Sequence, residues 1–365
     1  MDDLAWMRRA LEFAPLGGGW TSPNPLVGCV LVKGDQVVGE GYHARLGGPH
    51  AEVVALEMAG DRARGATAYV TLEPCNHTGR TGPCTQALIR AGVSRVVYAV
   101  PDPNPLTAQQ ADAVLRSAGI EVEGGVIEDE ARRLNEVFLK YIRTRQPFVV
   151  MKMAMSLDGK IATTTRESRW VSGEVSRTHV HELRGTLSAV MVGIGTVLAD
   201  DPGLDARLEG AHQPTRVVVD PRAETPPDAR MFRTPAPVLI AHGSEAPDER
   251  LEALARVGAA LLPTPTVDGG HLDLRALMVE LGRRELSGVL LEGGGGLNAS
   301  AIAQGIVDKL VFFVAPKLIG GTLSPGPLGG FGIEQMTEAH ALFDLRCYPS
   351  GEDVRLEAYT SPLAP

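Results

Sequence analysis

Four reactive residues near the N-terminal end constrain this chain more than any other sequence feature. His50 and Glu52 form a His-x-Glu pair, and two cysteines, Cys75 and Cys84, follow downstream. One imidazole and two thiolates are the protein ligands of a catalytic zinc ion that keeps a fourth position for water, whereas a structural zinc takes four protein ligands. Glu52 is then free to act as an acid or a base. The set predicts one catalytic zinc ion per chain, held by His50, Cys75 and Cys84.

The spacing of the two cysteines narrows this interpretation. A His-x-Glu pair followed by Pro-Cys and a second cysteine resembles the zinc nucleobase deaminases, in which the glutamate moves protons. Those enzymes commonly have two residues between their cysteines, but here the eight residues 76–83 separate Cys75 from Cys84. This segment carries an imidazole, His77, and a guanidinium, Arg80, which suit an anionic substrate.

The other two cysteines fit a structural role, because free cysteine is among the most buried residue types. Cys29 lies in the apolar segment Leu26–Val32, and Cys347 has no histidine or acidic motif around it. Cys75 and Cys84 lie instead in a segment of glycine, proline and threonine, which is a poor place to bury an inert thiol. This difference in surroundings favours metal binding by Cys75 and Cys84.

The chain as a whole resembles the bifunctional deaminase/reductase family of riboflavin biosynthesis. In the first half the resemblance rests on segments 21–25 (TSPNP), 39–43 (GEGYH), 48–52 (GPHAE), 73–84 and 102–105 (DPNP). In the second half it rests on segments 152–160 (KMAMSLDGK), 195–202 (GTVLADDP), 291–297 (LEGGGGL) and 315–321 (APKLIGG). It is weakest between about residues 222 and 285.

The resemblance implies an α/β protein, in which a cytidine-deaminase-like three-layer α/β/α domain precedes a dihydrofolate-reductase-like α/β domain. We expect residues 1–146 to form a zinc-dependent pyrimidine deaminase and residues 147–365 an NADPH-dependent reductase. The first would hydrolytically deaminate 2,5-diamino-6-(5-phosphoribosylamino)pyrimidin-4(3H)-one. The second would reduce the ribosyl group of 5-amino-6-(5-phosphoribosylamino)uracil to ribityl.

The resemblance also implies roles for single residues, with Glu52 as the catalytic acid and base. The residues expected to bind the deaminase substrate are Asn24, His43, His77, Arg80, Asp102 and Asn104. Those expected to bind the reductase substrate are Lys152, Ser168, Arg184, Leu204, Arg207 and Glu292. Those expected to bind NADPH are Ala154, Trp170, Thr196, Asp200, Gly294, Gly295, Gly296, Leu297, Asn298, Ala299 and Ser300.

A run of four glycines, residues 293–296, follows an apolar strand and opens an apolar helix. Backbone N–H groups at such a helix start bind phosphate, although on the residues alone a tight turn is equally open. Relatives more often have Ala-Gly-Pro, so we expect a more flexible loop here. The run lacks the downstream acid that binds an NAD ribose hydroxyl, which predicts a preference for NADPH. Arg222 is a candidate partner for the 2′-phosphate.

Alternating apolar segments predict strands and helices in both halves. In the first half, strands are expected at 26–32, 66–72 and 95–100 in a mainly parallel sheet, with helices starting near His50 and Cys84. One long helix, Ile127–Ile142, is expected before the domain boundary. In the second half, strands are expected at 148–155, 189–193, 216–220, 238–241, 288–291 and 309–314, with 354–359 as a closing antiparallel edge.

Charge and composition exclude some classes of function. A net charge of −9 argues against a broad nucleic-acid surface, which needs a basic stripe. No apolar run approaches the length of a membrane span, and the acidic start does not resemble a signal peptide. Four cysteines and a thiolate zinc site predict a cytoplasmic protein. We expect small phosphorylated pyrimidines as ligands, no nucleic acid or membrane as partner, and a homo-oligomer.

Two other interpretations stay open at this point. One is a deaminase of another base, such as tRNA adenosine or free cytosine, with the second domain as a scaffold. The segment between the two cysteines and the acidic net charge disfavour it. The other is a non-catalytic binding module that zinc stabilises. Glu52 disfavours that alternative, because a structural zinc has no need of a free acid beside an open position.

Overall fold

The computed structural model describes residues 2–77, 82–103 and 110–362. The chain divides into two compact units, Met1–Arg145 and Gln146–Pro365, so the division falls one residue before the predicted boundary. Both units combine helices with a sheet, and the predicted α/β class is confirmed. None of the helices within the described ranges has the length and apolar character needed to cross a membrane.

The first unit is a five-stranded sheet with helices. Its strands are β1 (Gly28–Lys33), β2 (Gln36–Tyr42), β3 (Thr67–Leu72), β4 (Arg95–Val100) and β5 (Glu121–Gly124). Its helices are α1 (Asp3–Phe13), α2 (Ala51–Ala59), α3 (Cys84–Ala91), α4 (Gln110–Ser117), α5 (Glu128–Leu134) and α6 (Glu136–Thr144). The strands lie in the order β2-β1-β3-β4-β5.

The sheet of the first unit is mixed rather than mainly parallel. Strand β1 pairs antiparallel with both β2 and β3, while β3, β4 and β5 are parallel. The prediction missed β2, whose two central glycines weaken the sequence signal for a strand. Those glycines are required by packing, because a Cβ atom at Gly39 would lie 2.1 Å from the carbonyl oxygen of Ala55 in α2. Close contact between β2 and α2 places the start of α2 beside the sheet.

The predicted long helix before the boundary is wrong, because Asn135 divides it into α5 and α6. Asn135 is buried, and its side chain binds both backbone groups of Leu26. Its Oδ1 accepts from the Leu26 N–H at 2.8 Å, and its Nδ2 donates to the Leu26 carbonyl at 2.9 Å. Side-chain bonds to distant backbone compete with helix continuity, so amphipathic spacing alone missed the break.

The second unit is a nine-stranded sheet with helices. Its strands are β6 (Phe148–Ser156), β7 (Ala189–Gly193), β8 (Thr215–Val219), β9 (Val238–His242), β10 (Ala260–Pro263), β11 (Gly288–Leu291), β12 (Lys309–Ala315), β13 (Phe343–Ser350) and β14 (Asp353–Tyr359). Its helices are α7 (Glu174–Thr186), α8 (Ile194–Asp200), α9 (Asp248–Arg256), α10 (Leu274–Arg283) and α11 (Gly295–Ala303). The strands lie in the order β10-β9-β8-β7-β11-β6-β12-β14-β13.

The strand predicted as the closing edge, β14, is antiparallel but lies one position inside the edge. The outer neighbour, β13, was not predicted and pairs antiparallel with β14. Its residues are mostly exposed, so they lack the alternation of buried and exposed positions that signals a half-buried strand. The central parallel strands β7, β8, β9 and β11 are buried almost throughout, which explains their near-continuous apolar sequences.

Candidate functional site

One histidine and two cysteines meet at the starts of two helices in the first unit. His50 directly precedes α2, Cys75 lies in the loop after β3, and Cys84 is the first residue of α3. Their ligand atoms lie within 4.8 Å of one another. The Nδ1 atom of His50 is 3.2 Å from Cys84 Sγ and 3.5 Å from Cys75 Sγ. Zinc bonds of about 2.0–2.3 Å separate tetrahedral ligand atoms by distances close to these.

The acidities of the two thiols indicate that the group suits a divalent cation. A hydrogen bond from Cys84 lowers the pKa of Cys75 to about 4, against the opposing effect of burial. The same contact, with burial, raises the pKa of Cys84. One thiolate forms easily, whereas the second needs a nearby positive charge to lose its proton. A zinc ion supplies that charge and is balanced by two thiolates, so the residues fit this metal.

Glu52 lies in the first turn of α2, two residues after His50, and only 3 % of it is exposed. Burial and the charge of Cys75 raise the pKa of Glu52 to about 7. A carboxyl group with such a pKa exchanges a proton near neutral pH, as general acid–base catalysis requires. Glu52 therefore has the properties of a proton carrier beside the three-ligand group.

Asn24 and His43 form a polar pair beside the metal ligands. The Nδ2 atom of Asn24 is 3.2 Å from Nε2 of His43, and Nδ1 of His43 is 3.0 Å from the carbonyl oxygen of Pro49. Because a carbonyl only accepts, His43 carries its proton on Nδ1 and accepts from Asn24. His43 is buried, and its ring meets that of His50 edge-on at 5.3 Å between centroids. Its contacts fix the orientation of the Asn24 amide.

Glu73 holds the loop that carries Asp102, a role that sequence analysis did not assign. The buried Glu73 carboxylate accepts from the backbone N–H of Asp102 at 3.0 Å and of Ala111 at 3.3 Å. The sequence signal that could have identified Glu73 was an acidic residue directly after a buried strand.

Of the residues predicted to bind the ribose phosphate, His77 is exposed. The predicted residues of this site that lie outside the described residues are Arg80 and Asn104.

The second unit contains an open cavity of about 1050 Å³. It lies at the carboxyl ends of β7, β8 and β11, which is the usual ligand edge of an open α/β sheet. Its volume suits a dinucleotide together with a small substrate. The predicted residues that line it are Lys152, Ala154, Ser168, Trp170, Arg184, Thr196, Asp200, Leu204, Arg207, Glu292, Gly294, Gly295, Gly296, Leu297 and Ser300.

Three charged side chains form the polar floor of this cavity. Arg184 binds the Glu292 carboxylate through Nε at 2.6 Å and Nη2 at 3.0 Å, and Lys152 Nζ is 3.4 Å from it. The side chain of Glu292 is only 9 % exposed. Burial opposes its ionisation, but the charges of Arg184 and Lys152 outweigh that effect and lower the pKa of Glu292 to about 2. Glu292 is therefore a permanent anion that fixes the positions of two cations.

The four-glycine run leads into a helix, and its last two residues, Gly295 and Gly296, form the start of that helix. Helix α11 begins at Gly295, and the Gly295 carbonyl accepts from the Gly329 N–H at 2.9 Å. A Cβ atom at Gly295 would lie 3.0 Å from the Gly326 carbonyl oxygen, so glycine permits this contact. Two predicted NADPH residues, Asn298 and Ala299, are not among the described lining residues. Asn298 is buried and donates to the Gly293 and Pro327 carbonyls, which fixes the run.

The predicted phosphate partner Arg222 also lies outside the described cavity lining, although its neighbour Pro221 is part of it. The Arg222 side chain is exposed, and its carbonyl accepts from Arg250. Four other arginines line the cavity, and none of them was assigned from the sequence. Arg166 and Arg169 lie in the loop before α7, Arg177 lies in α7, and Arg230 begins a short 3-10 helix.

Two family models match the chain, in the order of the two units. Residues 1–100 match the cytidine and deoxycytidylate deaminase zinc-binding region, and residues 147–356 match the RibD C-terminal domain. The riboflavin biosynthesis protein RibD of Actinobacillus pleuropneumoniae is 44 % identical over 365 residues, covering 100 % of this chain and 97 % of the relative. The chain belongs to the RibD family.

Solved RibD structures agree with this assignment over the whole chain. RibD of Acinetobacter baumannii has 40 % identity and a TM-score of 0.86, covering 98 % of both chains. A diaminohydroxyphosphoribosylaminopyrimidine deaminase/5-amino-6-(5-phosphoribosylamino)uracil reductase of Thermotoga maritima has 33 % identity and a TM-score of 0.85, again covering 98 % of both.

Membership of the RibD family makes the chain a bifunctional enzyme of riboflavin biosynthesis, with a zinc deaminase domain and a reductase domain. The cofactors that these domains imply are zinc and NADPH. The metal-ligand group of the first unit fits the zinc, and the open cavity of the second has the size and charged lining for the dinucleotide. The expected family, fold and pair of activities are confirmed.

Proposed function

We propose that the first unit hydrolytically deaminates 2,5-diamino-6-(5-phosphoribosylamino)pyrimidin-4(3H)-one and that the second reduces the ribosyl group of 5-amino-6-(5-phosphoribosylamino)uracil to ribityl with NADPH. The observation that carries the proposal is the pairing of two different sites in one chain. A buried acid lies beside three metal ligands in one unit, and a cation-lined cavity lies in the other. The RibD relative from Thermotoga maritima bears the names of both activities.

In the deaminase unit, Glu52 is the residue that moves protons. Zinc held by His50, Cys75 and Cys84 would lower the pKa of a water molecule at the site. Glu52 would take one proton from the attacking water and pass it to the ring nitrogen, then take the second from the new hydroxyl on the ring carbon and pass it to the amine, which leaves as ammonia. Its burial beside the ligand group keeps it close to the reacting atoms without occupying a metal position.

Asn24 positions the pyrimidine, and His43 positions Asn24. The amide nitrogen of Asn24 faces Nε2 of His43, so its carbonyl oxygen is available to a donor on the substrate. Asp102, whose backbone N–H donates to Glu73, is proposed to offer the substrate a further acceptor. His77 and Arg80, between the two cysteines, are proposed to bind the ribose phosphate.

In the reductase unit, cavity residues hold the sugar phosphate and the dinucleotide together. NADPH supplies the hydride. Lys152, which Glu292 fixes, and Asp200 both line the cavity; they would contact the sugar end of the substrate and the nicotinamide. Ser168, Arg184, Leu204 and Arg207 bind the substrate, and the start of α11 presents backbone N–H groups to the diphosphate.

Separating the two activities tests this proposal. Glu52→Gln preserves shape and hydrogen bonding but removes the basic carboxylate, so zinc stays bound and ammonia release falls by at least ~10²-fold. The same variant reduces supplied deaminated intermediate normally. Asp200→Ala has the opposite effect, sparing ammonia release and weakening NADPH oxidation. Ammonia release and NADPH consumption are measured separately, and loss of both activities in either folded variant would refute the assignment.

We also propose a cytoplasmic homo-oligomer. Reduced thiols at the zinc site favour the cytoplasm. A cluster of exposed apolar side chains lies in segment 318–345 of the second unit, including Leu323 at 80 %, Phe331 at 112 % and Met336 at 86 % exposure. The segment leads into the edge strand β13, and exposed apolar surface beside an open edge favours pairing with a second copy.

The oligomer has a direct test in sedimentation. Phe331→Asp combined with Met336→Asp reduces the sedimenting mass to that of one chain. Val257→Asp, at a separate exposed apolar position in the same unit, leaves the mass unchanged. A wild-type protein that sediments as a single chain would disprove the oligomer.

A further inference from the structure

Lys317 reaches from the end of β12 to a loop of the same unit. Its ammonium donates to the carbonyl oxygens of Trp170 at 2.7 Å and Val171 at 2.9 Å. Its backbone is held as well, because its carbonyl accepts from the Leu157 N–H and its N–H donates to the Ala315 carbonyl. The side chain therefore starts from a fixed position, and its charged end satisfies two consecutive carbonyl groups.

The two carbonyl groups belong to the loop that carries Trp170 into the cavity. Holding both carbonyls limits rotation of the peptide planes around Val171 and so directs the Trp170 side chain. Trp170 is 61 % exposed and lines the cavity, with the Arg177 guanidinium 4.7 Å from its ring centroid. Lys317 holds the backbone of this residue, and Arg177 contacts its ring.

The same loop carries a predicted substrate residue. The Val171 N–H donates to the Ser168 carbonyl at 3.1 Å, so Ser168 and Trp170 belong to one short turn. Both line the cavity, whereas Lys317 is not among its lining residues in the described part of the chain. Lys317 therefore acts on the cavity only through the turn.

We propose that Lys317 is a positioning residue for reduction, which holds the 168–171 turn so that Trp170 meets the dinucleotide and Ser168 meets the substrate. The inference rests on the proposed function of the second unit. It explains a lysine in the APKLIGG segment that is not among the described residues lining the cavity. An ammonium suits this task because it offers three donors to carbonyl groups.

Two substitutions at this position separate positioning from general stabilisation. Lys317→Met keeps the apolar stem but removes the donors, whereas Lys317→Arg keeps the charge and N–H donors. Lys309→Met is the matched control, because Lys309 lies at the other end of β12 and pairs with Glu357 at 3.2 Å. NADPH binding is measured by calorimetry without substrate, and KM and kcat are measured with supplied intermediate.

Without the donors, the turn is ordered only when the ligands bind, and this ordering costs binding free energy. Lys317→Met therefore raises the Kd of NADPH, the KM for NADPH and the KM for the intermediate about tenfold. It changes kcat less and leaves ammonia release unchanged. Lys317→Arg restores most of the affinity, and Lys309→Met binds NADPH like the wild type. If Lys317→Met does not fold, Lys317→Leu, which also lacks donors, replaces it and gives the same increase.

Wild-type NADPH affinity in folded Lys317→Met would overturn the inference. Equal losses in Lys317→Met and Lys317→Arg would also overturn it, because the donors would then not matter. A wild-type protein that does not bind NADPH would instead overturn the proposed function of the second unit, so the two failures are distinguishable.

Discussion

Glu52 in the first unit and Glu292 in the second are both largely buried, yet their pKa values move in opposite directions. Burial and the Cys75 charge raise the pKa of Glu52 to about 7. Around Glu292 burial acts the same way, but the charges of Arg184 and Lys152 outweigh it and lower the pKa to about 2. One carboxyl group can exchange a proton at neutral pH, and the other remains charged.

The difference follows from the neighbours that each unit supplies. In the first unit, burial and the negative charge of Cys75 disfavour the ionised acid, and the chemistry of the site depends on a metal. In the second, two cations hold the acid in place, and the cavity around them is wide enough for two ligands. The first site is compact and depends on its metal, whereas the second is a large cavity built on a fixed ion cluster.

The largest expected effect is loss of the metal. Cys75→Ser or Cys84→Ser removes one thiolate from a three-ligand group, so zinc is lost and ammonia release falls by more than ~10³-fold. Reduction of supplied intermediate continues, because the second site has its own charges. Metal analysis of the purified variants with both activity assays checks this. Full zinc retention in both variants would show that the three residues are not the ligand set.

A smaller effect is expected from breaking the ion cluster of the second unit. Arg184→Met leaves the buried Glu292 with Lys152 alone and lowers the free energy of unfolding of that unit by about 3–5 kcal/mol. Arg250→Met is the control, because its ion pair with Glu224 is exposed and contributes at most ~1 kcal/mol. Urea unfolding checks both. If the two variants lost similar amounts of unfolding free energy, the ion cluster would be no more stabilising than a surface ion pair.

The pH dependence of stability follows from the lowered pKa of Glu292. Its unfolded pKa is about 4.3, so the ionised group stabilises the folded unit fully above about pH 4.3. This contribution disappears as the pH falls through about 2. We expect the stability difference between wild type and Glu292→Gln to be constant from about pH 5 to 8 and to shrink below about pH 4. Denaturation series at each pH check this, and a difference that grows toward acid would contradict it.

The smallest expected effect is cofactor discrimination. One charged hydrogen bond to a 2′-phosphate contributes ~1.5–3 kcal/mol, which gives roughly tenfold to hundredfold preference for NADPH over NADH. Arg230 lines the cavity and Arg222 does not, so Arg230→Ala reduces the preference and Arg222→Ala keeps it. Steady-state efficiencies with both cofactors check this. Equal or better efficiency with NADH in the wild type would refute selection for the phosphate.

The sequence carries a stronger signal for the first site than for the second, for a physical reason. The side chains of His50, Glu52, Cys75 and Cys84 have specific chemistry; three of them lie at helix starts, and Cys75 lies in the loop after β3. The pattern therefore identifies the ligand group before any fold is known. The bond from Asn135 to Leu26 was not predictable, because no local pattern pairs residues so far apart.

In the second site, many of the contacts that hold the cavity residues in place are made by backbone groups. Trp170 and Val171 are held through their carbonyls, and Gly295 contacts Gly329 through its backbone. Backbone contacts of this kind do not require particular side chains, so the sequence gives little sign of them. The prediction for Arg222 illustrates the same difficulty. The strand before it, β8, was predicted from its apolar residues, but the sequence did not show that the Arg222 side chain lies outside the described cavity lining. Elements with strong apolar patterns were found, whereas the exposed strand β13 was missed.

The bond between Asn135 and Leu26 also has a consequence for the order in which the protein matures on the ribosome. The chain that carries Asn24 toward the active site is synthesised early, but the residue that fixes the neighbouring Leu26 backbone emerges more than a hundred positions later. Contacts of such long sequence separation form late in folding. We therefore expect a nascent chain to complete its zinc ligands before the loop of Asn24 takes its final place, and we expect deaminase activity only after Asn135 has left the exit tunnel.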